Sequence, residues 1–385
     1  MNYPYFAGMD GKCQAELWKY AAESLLFRLQ FTACPSGNCN LFITIHSQYY
    51  PKSYYHQKKS VLAETNFQQY LIFVNGYPQN YEEEQIMHYT GTIWRPPYEA
   101  SSLLLEVTAG CTHHKCKFCT LYADLPFSFR MSPLEDIAAD IKEASEMYRR
   151  LQGYQITRTF LTGANPFVLR YDRLTEIANL IRAGFPEMET IGSFARITDI
   201  STKSDAELAG LRKAGYDGLT IGIETADDEA LRFMNKGYLA ADILEQCGRL
   251  DRAGIRYSFF YLTGISGAGR GEAGAKATAA VCSQLHPTLI GANMMTIYPD
   301  SELYQEIQRG AWAEESETEK YKEVRTLVEN LNIPTVFAAL GASNAFQMQA
   351  KLPRDRQKLL DFLDHVIENV GEDELRRYRE SVHHL

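Results

Sequence analysis

The chain has 385 residues, of which 45% are hydrophobic and 23% are charged. This balance is typical of a soluble globular protein with one large domain and smaller additions. Acidic residues outnumber basic ones by 48 to 39, giving a net charge of −9, which argues against broad nucleic-acid binding but leaves a local basic groove open. No apolar run approaches the roughly 20 residues of a membrane-spanning helix, and the N-terminus lacks the basic and apolar segments of a signal peptide.

The cysteines are unevenly spaced along the chain. There are eight, at positions 13, 34, 39, 111, 116, 119, 247 and 282. Their clustering indicates metal ligation and not a disulfide framework, so we predict a reducing, cytoplasmic location. Cys247 and Cys282 fall within predicted helices, where a buried free thiol is the ordinary outcome. Cys13, Cys34 and Cys39 could instead form a second metal site.

Residues 1–86 differ from the rest of the chain, and we expect them to form an N-terminal extension of unknown role. The spacing of apolar residues predicts a helix near residues 14–31. Short apolar runs predict strands at Leu41–His46 and Tyr70–Val74, the second of them followed by an Asn75-Gly76 turn.

From about residue 101, strand-like runs alternate with amphipathic helices. The six predicted strands are Ser102–Val107, Ile156–Leu161, Glu189–Phe194, Gly218–Ile223, Ile255–Leu262 and Thr288–Thr296. The first helix begins at Ser132-Pro133-Leu134-Glu135, which supplies an N-cap, a proline in the first turn and a capping-box glutamate. This alternation predicts βαβ units around a parallel sheet. We therefore expect an α/β fold, with a partial (β/α)6 barrel over residues 87–305. A C-terminal helical extension follows over residues 306–385, with helices near Tyr321–Leu331 and Arg354–Val370.

The most informative segment is Gly110–Cys119, which has the sequence GCTHHKCKFC. It directly follows the first predicted strand, and barrels of this kind carry their chemistry at the carboxyl ends of the strands. Three thiolates this close, with no fourth cysteine nearby, can hold a [4Fe–4S] cluster by three of its irons and leave the fourth iron open to a small molecule. The competing interpretation is a structural zinc site that His113 or His114 completes.

A three-cysteine loop after the first strand of a six-unit β/α chain resembles the radical S-adenosylmethionine (radical SAM) superfamily, over roughly residues 87–350. The usual family spacing is three residues and then two, whereas this chain has four and then two. The resemblance implies a [4Fe–4S] cluster on Cys111, Cys116 and Cys119, with S-adenosylmethionine at the open iron. It also implies reductive cleavage to a 5′-deoxyadenosyl radical that abstracts hydrogen from a substrate, with a flavodoxin or ferredoxin as electron donor. A variant that releases an aminocarboxypropyl radical is the alternative chemistry.

Several strand ends are similar to those of oxygen-independent coproporphyrinogen oxidases and Elongator-like enzymes within that superfamily. Phe118 resembles the aromatic residue that packs near adenine. Gly163 and Asn165 lie where the family binds the methionine amine, although the family glutamate is missing here. Gly264 begins a segment similar to a family adenine contact. The two glycines could equally serve tight turns.

The third and fourth predicted strands supply the remaining expected cofactor contacts. Ser193 and Arg196 lie where the family reaches the ribose or the carboxylate, and Arg196 could pair with the methionine carboxylate. Glu224 could accept hydrogen bonds from the ribose hydroxyls, or it could form a structural ion pair with Arg196. No catalytic residue that acts on the substrate can be named. A small-molecule substrate is favoured, and a nucleic-acid substrate is disfavoured but not excluded.

Overall fold

The structure is a computed structural model that describes residues 87–150 and 155–381. Its ten strands are β1 (Leu103–Glu106), β2 (Thr108–Gly110), β3 (Phe129–Met131), β4 (Arg158–Thr162), β5 (Thr190–Ala195), β6 (Tyr216–Glu224), β7 (Tyr257–Thr263), β8 (Leu289–Met294), β9 (Thr335–Ala339) and β10 (Met348–Leu352). The predicted helix, strands and second metal site within residues 1–86 lie outside the described residues.

Eleven α-helices are found in the described residues. They are α1 (Leu134–Arg150), α2 (Tyr171–Gly184), α3 (Ile197–Ser201), α4 (Asp205–Lys213), α5 (Asp228–Phe233), α6 (Ala240–Ala253), α7 (Gly271–Cys282), α8 (Glu302–Gln308), α9 (Glu317–Asn330), α10 (Arg356–Asn369) and α11 (Glu372–Ser381). In this part of the chain, no helix is both long and apolar enough to cross a bilayer.

Eight of the strands form one sheet in the order β1-β4-β5-β6-β7-β8-β9-β10. All neighbours are parallel except β9 and β10. Each parallel step needs a crossover, and the helices provide these crossovers. Within the described residues no pairing joins β1 to β10, so the sheet is an open, partial barrel, as predicted.

The two faces of the sheet have different roles. On the outer face, Leu105, Ile221 and Phe259 are fully buried and share one hydrophobic core with helix residues such as Ile137 and Leu174. The inner face carries a row of aromatic side chains. The ring centroids of Phe160 and Phe194 are 5.0 Å apart, and those of Phe194 and Phe260 are 6.4 Å apart. Successive residues alternate between these faces, so a strand position decides whether a side chain faces the helices or the barrel interior.

The six predicted strands are all present, with shifts of a few residues at their ends. The helix predicted at Tyr321–Leu331 begins earlier, because Ser316 and Glu319 form a capping box. The C-terminal extension is not only helical, because it also contains β9 and β10. β9 pairs with β8 and adds a seventh parallel strand.

A buried ion pair closes the amino-terminal end of the barrel. Arg158 begins β4, and its Nη2 and Nε atoms donate to the two oxygens of Glu99 at 2.6 and 2.9 Å. Its Nη1 also donates to the carbonyl of Asp217 at 3.1 Å. Glu99 is 1% exposed, so its charge depends on this bidentate partner.

Replacing Arg158 by methionine should lower the free energy of unfolding by about 3 kcal/mol, because it leaves the Glu99 carboxylate buried without a cation. Urea denaturation measures this change. Arg170→Met is the control, because the Arg170 side chain is 86% exposed in its pair with Asp172 and should change stability little. Equal stabilities for the two variants would contradict the assignment.

Candidate active site

The cysteine loop is closed at its base by a short antiparallel hairpin. β2 pairs with β3 from Thr108 opposite Met131 to Gly110 opposite Phe129. Cys111 follows at once and donates its N–H to the carbonyl of Ser128 at 2.8 Å. Gly110 is required here, because its φ is +78° and a Cβ would lie 2.2 Å from the Ser128 oxygen. The loop therefore leaves the barrel rim and returns to it at one fixed point.

The three predicted cysteine ligands lie on this loop, and their thiols influence one another. The N–H of Cys119 donates to the carbonyl of Cys116 at 3.1 Å, which makes a tight turn. Desolvation, with a contribution from the thiols of Cys116 and Cys111, raises the pKa of Cys119 to about 11, although a hydrogen bond with the Leu121 backbone opposes the rise. Burial also raises the pKa of Cys116. Bound cations are what normally stabilise thiolates in such surroundings. Across the described residues, no three His, Cys, Asp or Glu side chains are gathered closely enough to hold a single metal ion.

The cysteine loop docks onto the segment that follows α5. The N–H of Lys117 donates to the carbonyl of Met234 at 3.1 Å. The Nε2 atom of His113 lies 2.6 Å from the carbonyl oxygen of Asn235. Asn235 has a φ of +56°, a conformation that asparagine tolerates better than most residues. These contacts fix the loop against the carboxyl end of β6.

That docking segment supplies a lysine that the sequence analysis missed. Lys236 is 4% exposed, and its Nζ donates to the carbonyl of Gly222 and to Oε1 of Glu224, both at 3.1 Å. Although burial disfavours its charge, the nearby oxygens of Tyr238 and Glu224 and the Cys116 sulfur raise the pKa of Lys236. The lysine is therefore a fixed positive charge beside the cysteine loop.

Glu224 and Arg196 both reach this region, but they do not pair with each other in the structure. The partner of Glu224 is Lys236, so the predicted Glu224–Arg196 ion pair is wrong. Glu224 ends β6 with a φ of +62°, a strained conformation for this residue. The guanidinium of Arg196 donates to the Lys236 carbonyl and to Thr198 Oγ1. It is close enough to Cys116 to oppose the rise in that thiol's pKa.

Asn165 is fully engaged in holding the cysteine loop. It is 0% exposed. Its Nδ2 donates to Thr112 Oγ1 at 2.8 Å and to Asp199 at 3.0 Å, while its Oδ1 accepts from the Thr112 N–H at 3.3 Å. Burial raises the pKa of Asp199 to about 6, although its hydrogen bonds with Arg196 and Asn165 oppose the rise. Both Nδ2 hydrogens of Asn165 are therefore bonded within the protein, and the residue positions Thr112 beside Cys111.

Two other predicted site residues have different outcomes. Gly163 has a φ of +122°, and a Cβ there would lie 2.1 Å from Thr108 Oγ1. The backbone that follows β4 therefore passes close to the base of the cysteine loop. Ser193 does not reach the barrel interior. It is fully buried, and its hydroxyl donates to the Phe194 carbonyl. It pairs in register with Leu219, on the face opposite Phe194.

The loop after β7 completes this edge. Gly264 has a φ of +92°, and the next residue, Ile265, belongs to a small buried cluster with Met234 and Leu303, against which Phe118 packs. Phe118 thus links the cysteine loop to the loop after β7. A cavity of about 230 Å³ lies against the same loop, lined among others by Phe233, Ile265 and Trp312.

A family model described as the radical SAM superfamily matches residues 105–273, which contain the cysteine loop and β4 to β7. This part of the chain is a radical SAM domain. The match identifies no substrate. Among curated proteins, none matches the chain.

Solved structures with a similar arrangement include three enzymes. Methylornithine synthase is 14% identical with a TM-score of 0.45, over 72% of this chain and 85% of its own. Coproporphyrinogen III oxidase from Escherichia coli is 16% identical with a TM-score of 0.44, over 60% and 52%. A radical S-adenosylmethionine methyltransferase from Kitasatospora setae is 17% identical with a TM-score of 0.43, over 55% and 40%. The matched region thus spans about half or less of the last two proteins.

Removing the Asn165 amide should loosen the cysteine loop. Asn165→Ala leaves the Thr112 N–H without its acceptor and removes one donor from Asp199, so we expect a loss of about 2 kcal/mol in stability. We also expect faster amide hydrogen exchange across residues 111–119. Asn369→Ala, which removes an exposed amide bonded only to His365, is the control. Unchanged exchange in the Asn165 variant would show that the amide does not hold the loop.

Proposed function

We propose that this protein is a radical SAM enzyme that holds a [4Fe–4S] cluster through Cys111, Cys116 and Cys119 and cleaves S-adenosylmethionine reductively. The observation that carries the proposal is the placement of three coupled thiols on one anchored loop at the carboxyl edge of a parallel sheet. That edge is where α/β enzymes of this architecture bind their ligands. Thiolates are also the ligands that iron–sulfur clusters take.

The surroundings of the thiols fit such a cofactor. Desolvation keeps Cys116 and Cys119 protonated unless positive charge is brought to them, and the irons of a cluster would supply that charge. When bound, the cluster and S-adenosylmethionine would supply an electron and a cleavable sulfonium bond. The zinc alternative would need His113 or His114 as a fourth ligand, and iron, sulfide and zinc analysis of the purified protein distinguishes the two.

The protein's own residues would orient the nucleotide and exclude water. We assign the methionine carboxylate to Arg196, whose guanidinium faces the cysteine loop from the end of β5. Lys236 holds the Glu224 side chain against Gly222. A Cβ at Gly222 would lie 2.5 Å from Glu224 Oε1. Phe118 and the loop that begins at Gly264 would contact the adenine. At the opposite end, the Glu99–Arg158 pair closes the barrel.

The substrate is proposed to be a small molecule that enters the barrel interior, where Phe194 and Phe260 are partly exposed. The net charge of −9 is unfavourable for a polyanionic substrate. A flavodoxin or ferredoxin is the proposed electron donor. A screen of metabolites for those that accelerate S-adenosylmethionine cleavage would identify the substrate class.

Each of Cys111→Ala, Cys116→Ala and Cys119→Ala should lose the cluster after anaerobic reconstitution, because two thiolates cannot retain it. Iron and sulfide analysis measures the loss, and chromatography of the products measures cleavage. Cys282→Ala is the matched control, because Cys282 is a fully buried thiol in α7. Wild-type protein should release 5′-deoxyadenosine. Release of 5′-methylthioadenosine would favour the aminocarboxypropyl alternative, and full activity in a variant that lacks all three cysteines would refute the proposal.

Arg196→Met should weaken S-adenosylmethionine binding at least about tenfold while iron content stays at the wild-type level, because a charge-assisted contact to the carboxylate is lost. Calorimetry under anaerobic conditions measures the affinity. Arg232→Met, at a side chain that is 62% exposed, serves as the control. A fall in iron content that parallels the fall in affinity would indicate instead that Arg196 supports the cysteine loop.

A further inference from the structure

The loop after β7, residues 264–271, has the sequence GISGAGRG and a closely packed backbone. Its first residue, Gly264, lies in the left-handed region, and its last, Gly271, begins α7. A glycine-rich loop of this kind exposes N–H groups that need acceptors. The loop itself supplies only some of them, such as the Gly264 carbonyl, which accepts from Gly267.

Glu319 and Glu323 of α9, and Glu315 just before this helix, lie against the loop, while the Ala313 carbonyl accepts from the Ala268 N–H. Glu323 Oε2 accepts from the Gly264 N–H at 2.7 Å. Glu315 Oε1 lies beside Gly271, and the backbone of Gly269 lies close enough to the Glu319 carboxylate to favour its ionisation. Glu319 and Glu323 are four residues apart on α9, which places both side chains on one face of the helix. We name Glu315, Glu319 and Glu323 the acidic brace.

The fit between brace and loop depends on the absence of a side chain at Gly271. A Cβ there would lie 2.0 Å from Glu315 Oε1 and 2.7 Å from its carboxyl carbon. Any other residue would push the carboxylate away from the loop. Contact with the brace thus explains why position 271 is a glycine.

Two members of the brace carry carboxyl groups that are removed from water. Glu315 and Glu323 are 1% and 0% exposed, so ionisation of both is unfavourable. Burial, together with the charge of Glu323, raises the pKa of Glu315 to about 9.

The groups that face this pair come from every neighbouring element. From β7, the Tyr261 hydroxyl donates to Glu323 Oε1. From α9, Lys320 lies close enough to favour ionisation of Glu323, while its Nζ bonds Glu314 and Glu317. Three charged groups complete the surroundings: Glu272 of α7, which accepts from Thr326, and Arg376 and Arg379 of α11, which face Glu317.

The braced loop is continuous with the candidate active site. Ile265 lies one residue after the braced Gly264 and packs with Met234, while Phe118 of the cysteine loop packs on the same cluster. A shift of the Gly264 backbone would therefore move the surface on which Phe118 rests. None of the three glutamates touches the cysteine loop, so their effect would pass through the loop backbone.

We propose that the acidic brace, Glu315, Glu319 and Glu323, positions the loop at residues 264–271 for nucleotide binding. This inference rests on the proposed function for the identity of the nucleotide, S-adenosylmethionine. The brace residues are positioning residues. They come from a segment beyond the matched domain, and they make the shape of the site depend on α9.

The first test is amide hydrogen exchange of residues 264–271 in the full-length protein, which needs no cofactor. Glu323→Ala should raise the exchange rate of this loop about tenfold, because the Gly264 N–H loses its acceptor. Glu323→Gln keeps an acceptor and should restore most of the protection, and it replaces the alanine variant if that one does not fold. Glu329→Gln, on the same helix with a half-exposed side chain, is the control. Loop exchange at the wild-type rate in Glu323→Ala would overturn the proposal.

The second test is S-adenosylmethionine affinity after anaerobic reconstitution. We expect Glu323→Ala to bind about tenfold more weakly at unchanged iron content, and Glu323→Gln to bind like the wild type. Faster loop exchange with wild-type affinity would overturn the positioning role. If the wild-type protein bound no S-adenosylmethionine, the proposed function would fail, while the exchange data would still decide whether the brace holds the loop.

The pH dependence of stability tests whether the buried Glu315 holds its proton to high pH. The folded state retains a proton that an unfolded glutamate releases near pH 4.5, so this pair makes the unfolding free energy fall as the pH rises from 4.5 to about 9. Glu315→Gln carries no such proton and should show a shallower fall, with loop protection at pH 9.5 above that of the wild type. Identical pH profiles for the two proteins would overturn this part of the inference.

Discussion

The anchoring of the cysteine loop is the constraint on which the rest of the site depends. Eighteen-residue excursions are ordinarily variable in shape, but this one is closed at its base by the β2–β3 hairpin and held from below by Asn165 through Thr112. Its far side rests on the segment after α5. Three independent attachments thus fix the thiols relative to the sheet. A cofactor site needs ligand side chains that are held rigidly in place.

Charged side chains of opposite sign lie beside this loop, largely shielded from water. Lys236 neutralises Glu224 and lies near Cys116, and Arg196 approaches the same thiol from the end of β5. Cations at this edge favour thiolates and anionic ligand groups. The acidic brace has a different role. It accepts a backbone hydrogen bond from a loop whose glycines provide no side-chain contacts.

Much of the fold follows from the sequence because its signals are local. The six strands that build the barrel are apolar runs separated by helix caps such as Ser204 and Glu207, which form the expected capping box. β2 and β3 have three residues each and carry no periodic signal. β9 and β10 were missed although Met348, Ala350 and Leu352 alternate with exposed residues, because five residues are too few to distinguish such a strand from a loop.

The site was predictable in its residue types and less so in its contacts. The spacing of the cysteines is readable in one dimension, but the partner of Glu224 is Lys236, and the two meet only because the chain doubles back after α5. Ser193 was placed at the correct strand end and on the wrong face. Ile191 and Ala195, two residues to either side, are buried on the helix side, and this alternation was the available signal. The roles of Thr112 and Glu323 had no sequence signal at all.

The most direct test of the account is the electron paramagnetic resonance spectrum of anaerobically reconstituted, dithionite-reduced protein, recorded with and without S-adenosylmethionine. The account predicts the signal of a reduced [4Fe–4S] cluster, and a change in its shape when S-adenosylmethionine is added, because one iron is open to the ligand. A protein without such a signal, or with a signal that S-adenosylmethionine leaves unchanged, would contradict it.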